Sequence, residues 1–206
     1  MEIVNQQVTV DLSEGRALKL DLGGGWNPRP GYYSVDMIQC GKTDVVADLS
    51  QPLAGIPTGA VSRLYSSHTL EHVSNLLGLM QEINRIVSPG GRIEIIVPHF
   101  SNSYAYSDPT HLRFFGIYSM YYFSPPEFQP PRKVPHYYSK ARFKVNEVRL
   151  SFYRYTLYDR MVAPLLERFL NKSFARLEWY ERRLATFFPA RQIYFSLTSL
   201  PPVEAS

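Results

Sequence analysis

The sequence predicts a single α/β domain built on a parallel sheet, and three observations carry that prediction. Short apolar runs stop abruptly at glycine or at polar residues, as buried strands do at their turns. Between two of these runs, apolar residues recur at helical spacing over 73–87, and a Pro-Gly-Gly turn follows. A strand, a helix, such a turn and a strand in that order make a βαβ crossover, which joins parallel strands. The 206 residues, 45% hydrophobic and 19% charged, are enough for one buried core.

Residues 17–22, ALKLDL, read as a strand ending at Gly23-Gly24-Gly25. Residues 32–36, YYSVD, read as a second strand that ends on Asp36, and 43–49, TDVVADL, as a third carrying Asp48. Residues 63–67, RLYSS, form a fourth that stops beside His68. From Leu70 a helix aligns Val73, Leu76, Leu77, Met80, Ile83 and Val87 on one face until Pro89-Gly90-Gly91. Residues 92–97, RIEIIV, form a fifth strand, closed by Pro98. Residues 99–140 are rich in Tyr, Phe, Pro and His without a clean period, so they read as an ordered insertion over the carboxyl edge of the sheet. Residues 141–155 read as a long strand, 157–188 as one helix or two with a break near Asn171, and 191–197 as a last strand before a Pro-rich tail.

Composition excludes several classes. No apolar run reaches the roughly 18 to 20 residues that span a bilayer, and MEIVNQQVTVDLSEG has no basic or apolar leader region, so a cytoplasmic protein is expected. A lone cysteine, Cys40, makes no internal disulfide. Charge is uneven: residues 1–131 hold 8 Lys/Arg against 12 Asp/Glu, whereas 132–192 hold 14 against 5. Such a basic segment is either a solvated helical face or a surface for an acidic partner.

In open α/β sheets, ligands bind beyond the carboxyl ends of the strands, where the strand order reverses. Gly23 and Gly25 allow close backbone approach there, although three glycines can also be a tight turn alone. Asp36, on the neighbouring strand, is placed to accept hydrogen bonds from a ribose diol, and Asp48 from an adenine amino group. Only ten residues separate Gly25 from Asp36, and they include Pro28, Pro30, Gly31 and the second strand. A dinucleotide site needs a helix in that gap, with its N-terminus on the pyrophosphate. The spacing therefore disfavours an NAD-dependent oxidoreductase and favours S-adenosylmethionine, a nucleoside cofactor without phosphates.

The strings LDLGGG at 20–25, VDM at 35–37, ADL at 47–49, SSHTLEHV at 66–73 and LMQEINRIVSPGGRIEIIVP at 79–98 resemble the class I S-adenosylmethionine-dependent methyltransferases. The likeness is strongest to the small type 11 predicted methyltransferases, many of which lie beside glycosyltransferases in bacterial glycan clusters. It implies a Rossmann-like fold with a mostly parallel seven-stranded sheet, a lid insertion and a helical C-terminal segment. Within residues 1–206 as one domain, it divides a cofactor-binding core (17–98) from the lid (99–140) and the C-terminal strands and helices (141–206). The resemblance places Gly23, Gly24 and Gly25 at the methionine part, Asp36 at the ribose, Met37 and Leu49 on the adenine faces and Asp48 at its amino group. Ser67 and His68 would line the sulfonium end. The chain departs from the family in Asn27, where a third glycine is frequent, and in a short first crossover.

Four of the five histidines, His68, His72, His99 and His111, fall on strand ends, the start of the helix or the insertion. Methyl transfer to a hydroxyl needs alignment and removal of a proton, and histidine titrates near neutral pH. His111, oriented by Asp108, is the expected base, with His99 the alternate. A His/Asp pair that merely ties the lid together is the competing reading. A metal on His99, Asp108 and His111 is conceivable by ligand type, but none is assigned. Glu71 and His72 read either as residues capping the helix or as direct participants. The aromatic run Phe114, Phe115, Tyr118, Tyr121, Tyr122 and Phe123 reads as packing of the lid onto the sheet.

The loop SSHT at 66–69 is unlike the NPPY or DPPY loops of amino-group DNA methyltransferases, and Cys40 lies away from a cytosine-C5 nucleophile position, so base methylation by those two routes is disfavoured. RNA stays open on the basic charge, but no RNA-binding signature accompanies it and nucleic acid is not the expected partner. The basic C-terminal helices are expected to pack their apolar side on the sheet, with an amphipathic face against anionic lipid as the minority reading. The expected function is methyl transfer from S-adenosylmethionine to an oxygen or nitrogen acceptor, with a sugar or glycan hydroxyl, or a small metabolite, foremost. A non-catalytic module that keeps the cofactor fold is the rival.

Overall fold

Eight strands form one sheet in the computed structural model, which describes residues 1–201. In chain order the elements are β1 (Glu2–Ile3), α1 (Gln6–Ser13), β2 (Leu18–Leu22), β3 (Tyr33–Asp36), β4 (Val45–Val46) and β5 (Val61–Ser67). They continue with α2 (Leu76–Ile86), β6 (Val87–Pro98), α3 (Tyr104–Ser107), β7 (Phe143–Phe152), α4 (Leu157–Leu170), α5 (Phe174–Arg183) and β8 (Ala190–Ser199). The sheet order is β1-β4-β3-β2-β5-β6-β8-β7. The five strands from β4 to β6 pair in parallel, and β8 runs antiparallel between β6 and β7.

Central strands show why they are central. In β2, Leu18, Leu20, Asp21 and Leu22 are all buried, because helices or loops cover both faces of a parallel sheet. At the far edge, β7 alternates buried Phe143, Val145, Val148, Leu150 and Phe152 with polar residues, apart from a register shift near Asn146. Each fully buried side chain of this kind contributes about 1.5–3 kcal/mol. Asn84 fastens α2 to that edge, its amide donating to the Arg142 and Leu200 carbonyls at 3.1 and 2.9 Å and its Oδ1 accepting from Arg142 N–H at 3.1 Å.

The structure differs from the sequence reading in four places. First, β1 and α1 are additional elements; Asn5 caps α1 by accepting from Gln7 N–H at 3.0 Å, and its short run carries little helical periodicity. Second, α2 starts at Leu76 rather than Leu70. Residues Leu70–His72 form a separate 3-10 turn, and Asn75 sets the new start by accepting from Gly78 N–H at 3.1 Å. Third, Pro89-Gly90-Gly91 lies inside β6 as a bulge: Val61 pairs with Val87 and Arg63 already with Arg92, and Gly90 has φ +84°. Fourth, α4 buries only Ala163 and Leu170, while Leu157, Met161, Leu165 and Phe169 face solvent. Ala163, Leu166 and Leu170 pack on the core as expected, and polar groups add to their hold, with β7 donating from Leu150 N–H to Asn171 Oδ1 and from Phe152 N–H to Glu167 Oε1. The break between α4 and α5 falls at residues 171–173, close to Asn171.

The insertion is ordered by packing into the same core as the sheet. Phe115, Ile117, Met120, Tyr121 and Phe123 are buried, while Phe114 and Tyr122 stay exposed. Among the described residues no helix is long and apolar enough to cross a membrane.

Candidate active site

Strand order reverses between β2 and β5, and the cleft beyond their carboxyl ends is the first half of the site. Gly23 turns the chain there at φ +74°, and a Cβ on it would lie 2.0 Å from Thr69 Oγ1, so only glycine fits. Thr69 itself is pinned, its hydroxyl donating to the Leu22 carbonyl at 3.1 Å. Asp36 accepts from Gly25 N–H on Oδ2 and from Ile38 N–H on Oδ1, both at 3.0 Å. Its carboxylate is thereby fixed, and each oxygen keeps a further lone pair for a diol. Asp48 Oδ1 accepts from Ser50 N–H at 2.8 Å.

Gly23, Asp36, Met37, Asp48, Leu49 and His68 line one cavity of about 270 Å³. Ser50, Thr69, His72 and Val73 complete it, and sequence reasoning had not assigned the first two or Val73 to the site. Gly24 and Gly25 support the turn from behind: a Cβ on Gly24 would meet Ser34 Oγ at 2.6 Å. Ser67 does not line the cavity; its carbonyl accepts from the Thr69 hydroxyl at 3.2 Å. No helix follows Gly25. Residues 26–32 are held by Asp21, which accepts from Arg29 N–H at 2.7 Å, and by the Arg29–Glu94 ion pair. Burial pushes the Asp21 carboxyl upward, against the opposing pull of Arg29. Among the described residues no helix N-terminus is offered to a phosphate here, whereas a glycine turn, a fixed carboxylate and apolar Leu49 and Val73 suit S-adenosylmethionine.

His68 is the hinge of the site. It is the one non-glycine residue among those described with a left-handed backbone, φ 54°, and it lines both the cofactor cleft and a second cavity of about 570 Å³. Its Nε2 meets Gln192 Oε1 at 3.0 Å, and its Nδ1 lies 3.5 Å from Glu71 Oε1. The Glu71 carboxylate, chiefly, raises the His68 pKa against the opposing effect of burial.

The second cavity lies under the insertion. His111 reaches it with its side chain mostly covered. His111 Nδ1 is 2.8 Å from the Ala105 carbonyl and must donate to it, which leaves the Nε2 lone pair free. Asp108 does not orient His111 as expected: its Oδ2 stands 3.8 Å from Nε2, beyond hydrogen bonding. Asp108 Oδ1 instead accepts from Thr110 N–H and Oγ1 at 2.8 and 2.6 Å, contacts that lower its pKa.

His99 is corrected more sharply. It is wholly buried and does not line the cavity. Its Nδ1 accepts from Ser101 N–H at 3.2 Å, and its Nε2 donates to Glu181 Oε1 at 3.1 Å, where Ile117 N–H also donates at 2.7 Å. The ring therefore staples the insertion to α5 and carries no free base. The conceived His99, Asp108 and His111 metal set is dispersed as a result. Glu71 and His72 do not open α2; they sit in the 3-10 turn against His111.

Sequence reasoning missed Asn102, Tyr104, Tyr153, Tyr155 and Arg191 in this cavity. Tyr153 and Tyr155 follow the carboxyl end of β7, and Arg191 opens β8, which runs the other way and so begins at the same edge. The aromatic and charged cluster RYTLY after a strand was the available signal.

Residues 28–95 match the family model described as a methyltransferase domain, a stretch that includes Asp36, Asp48, His68, Glu71 and His72. Among solved structures, a SAM-dependent methyltransferase from Archaeoglobus fulgidus is similar at 16% identity and TM-score 0.54, covering 94% of this chain and 90% of its own. The YcgJ protein from Bacillus subtilis is similar at 13% identity and TM-score 0.52, covering 96% and 98%. The [4+2]-cyclase SpnF is similar at 14% identity and TM-score 0.51, covering 95% and 81%. No curated protein matches the chain. The fold is that of the class I methyltransferases. The methyltransferase-domain match over residues 28–95 and the glycine-and-carboxylate cleft both suit S-adenosylmethionine as the cofactor.

Proposed function

We propose that the chain methylates a hydroxyl of a sugar, a glycan or a similarly polar metabolite, with His111 as the proton acceptor. The observation that carries this is the second cavity, which shares His68 with the cofactor cleft. Tyr104, Tyr153 and Tyr155 offer it ring faces, while Asp108 and Arg191 offer hydrogen bonds, a mixture suited to a ring bearing several hydroxyls. When bound, the cofactor supplies an electrophilic methyl group on a positively charged sulfur.

Gly23 and Thr69 shape the methionine end, and Asp36 holds the ribose. Leu49 and Val73 cover the base. His111 would accept the hydroxyl proton on Nε2, and the bound cofactor would supply the methyl group, its sulfur keeping the electron pair of the broken carbon–sulfur bond. Asp108 and Glu71, 3.8 and 4.0 Å from that nitrogen, favour the resulting imidazolium. Incubation with labelled S-adenosylmethionine and a panel of sugars, nucleotide sugars, amines and phenols tests the assignment. Label in a hydroxylated sugar supports it, and label only in an amine overturns it. Cofactor binding without label in any acceptor favours the non-catalytic module, since the fold alone does not fix an activity.

A second reading has its own support. Leu157, Met161, Leu165 and Phe169 form an exposed apolar row along α4, and Arg160, Arg168 and Lys172 flank it. Such a face suits an anionic membrane surface, where a lipid-linked glycan would present its hydroxyls. Flotation with phosphatidylglycerol vesicles tests it; binding that M161E/L165E abolishes is expected, and indifference to vesicles removes the reading.

A further inference from the structure

Glu71 is the least satisfied polar group of the site. It is 1% exposed, and neither carboxylate oxygen has a hydrogen-bond partner. A carboxylate buried without hydrogen bonds is costly unless positive charge stands close to it, and here His68 lies near only one of its two oxygens. Its nearest nitrogens are His68 Nδ1 at 3.5 Å and His111 Nε2 at 4.0 Å, both too far for an ordinary hydrogen bond.

Two imidazoles beside it are held with lone pairs free. His111 spends Nδ1–H on the Ala105 carbonyl, which leaves Nε2 as a ligand. His72 Nδ1 lies 2.9 Å from Thr110 Oγ1, whose own proton goes to Asp108 Oδ1 at 2.6 Å. Nδ1 of His72 must therefore be the donor, and its Nε2 is left as the second ligand. These are the outer contacts that metal-binding histidines make, fixing the tautomer and turning the ring. The rings sit edge to face with centroids 4.7 Å apart, and Leu112 N–H donates to the Glu71 carbonyl at 2.8 Å, holding His111 against the turn.

We infer that Glu71, His72 and His111 form a divalent-cation site, suited to zinc, between the cofactor cleft and the second cavity. Their ligand atoms lie within 4.8 Å of one another. Tetrahedral zinc at about 2.0–2.1 Å from each ligand needs separations near 3.3 Å, so the three ligand atoms must draw together, with the exposed His72 ring turning about its Nδ1 contact to Thr110. Two nitrogens and one carboxylate leave a coordination position open, as in catalytic rather than structural zinc sites. His72 lines the cofactor cleft and His111 the second cavity, so that position is within reach of an incoming hydroxyl, which coordination makes more acidic. Cation binding does not depend on the acceptor proposed above. It does use the His111 lone pair, so ligand and free base are mutually exclusive uses of one atom.

The test is titration of tag-free, chelator-treated full-length protein with Zn²⁺ by calorimetry and with Co²⁺ by visible absorption, in the absence of any acceptor. About one equivalent is expected, with the intense cobalt bands of a low-coordinate site. H72A, which removes an exposed ligand, and E71Q should abolish it, with thermal melts confirming that both fold. T110V, which frees the His72 ring, should weaken it about 10- to 100-fold. No binding, or binding unchanged in H72A and E71Q, overturns the site. A failed acceptor screen beside intact cation binding would count against the proposed substrate class alone.

Discussion

The cleft over β2 to β5 and the cavity beneath the insertion share His68, yet they are built by different rules. Three cleft residues each follow a strand of their own: Gly23 follows β2, Asp36 ends β3 and His68 follows β5. A parallel sheet brings those ends to one edge automatically. The cavity instead draws His111 and Tyr104 from the insertion, Tyr153 and Tyr155 from beyond β7 and Arg191 from the start of β8. Its walls exist only because staples such as His99–Glu181 and Leu112–Glu71 hold distant segments together. Strand-end sites tolerate variation elsewhere, whereas stapled sites depend on every staple.

The substitution with the largest expected effect separates the two halves most cleanly. H111A should lower turnover about 10²- to 10⁴-fold while cofactor affinity, read by calorimetry, stays constant. D108N should cost far less, because Asp108 does not bond to the ring; equal losses would restore Asp108 as the orienting group. On the cleft side, D36A should weaken S-adenosylmethionine binding by about 1.5–3 kcal/mol for each charge-assisted bond lost, roughly 10- to 150-fold. Unchanged affinity would remove the ribose assignment.

H99A probes the staple. Deprived of its imidazole partner, Glu181 should cost about 1–3 kcal/mol of stability, with Tm falling about 2–4 °C for each kcal/mol. Turnover should fall with the melt of the insertion and not before it. Turnover lost at full stability would reinstate His99 as a reacting group.

The smallest effect lies away from both halves, where α1 meets the start of β3. Hydrogen bonds from Tyr33, Gln7 and Arg16 hold the Asp11 carboxyl down at about 2, and the same contact lifts Tyr33 to about 12. A carboxyl lowered on folding stabilises above its ordinary value near 3.8, and that contribution is lost as pH falls through about 2. The Tm gap between the wild type and D11N should therefore be constant from neutral pH to about 5 and vanish near 2. A gap independent of pH would show that the Asp11 charge contributes nothing.

Legibility divided along the same line. Glycine after an apolar run, an acid closing the next strand and the ten-residue gap were enough to choose a nucleoside cofactor without phosphates, because each is a short-range backbone rule. The start of α2 was misplaced because the apolar spacing continues back to Val73, while the deciding cap is the Asn75 side chain. Pairing His111 with Asp108 followed their closeness in sequence. The ring answers instead to the Ala105 carbonyl, a backbone group that no residue pattern marks.

The sequence by itself determined the α/β class, the strand ends that meet in the cleft and the kind of cofactor it accepts, because strand periodicity and turn chemistry act over a few neighbouring residues. Only the tertiary structure decided that His99 is a buried staple, that Glu71 lies buried without partners between two oriented imidazoles, and that β7 and β8 supply the cavity wall. Those outcomes rest on contacts between segments from about 40 to more than 80 residues apart, and burial and ring tautomer are set by such contacts rather than by local pattern.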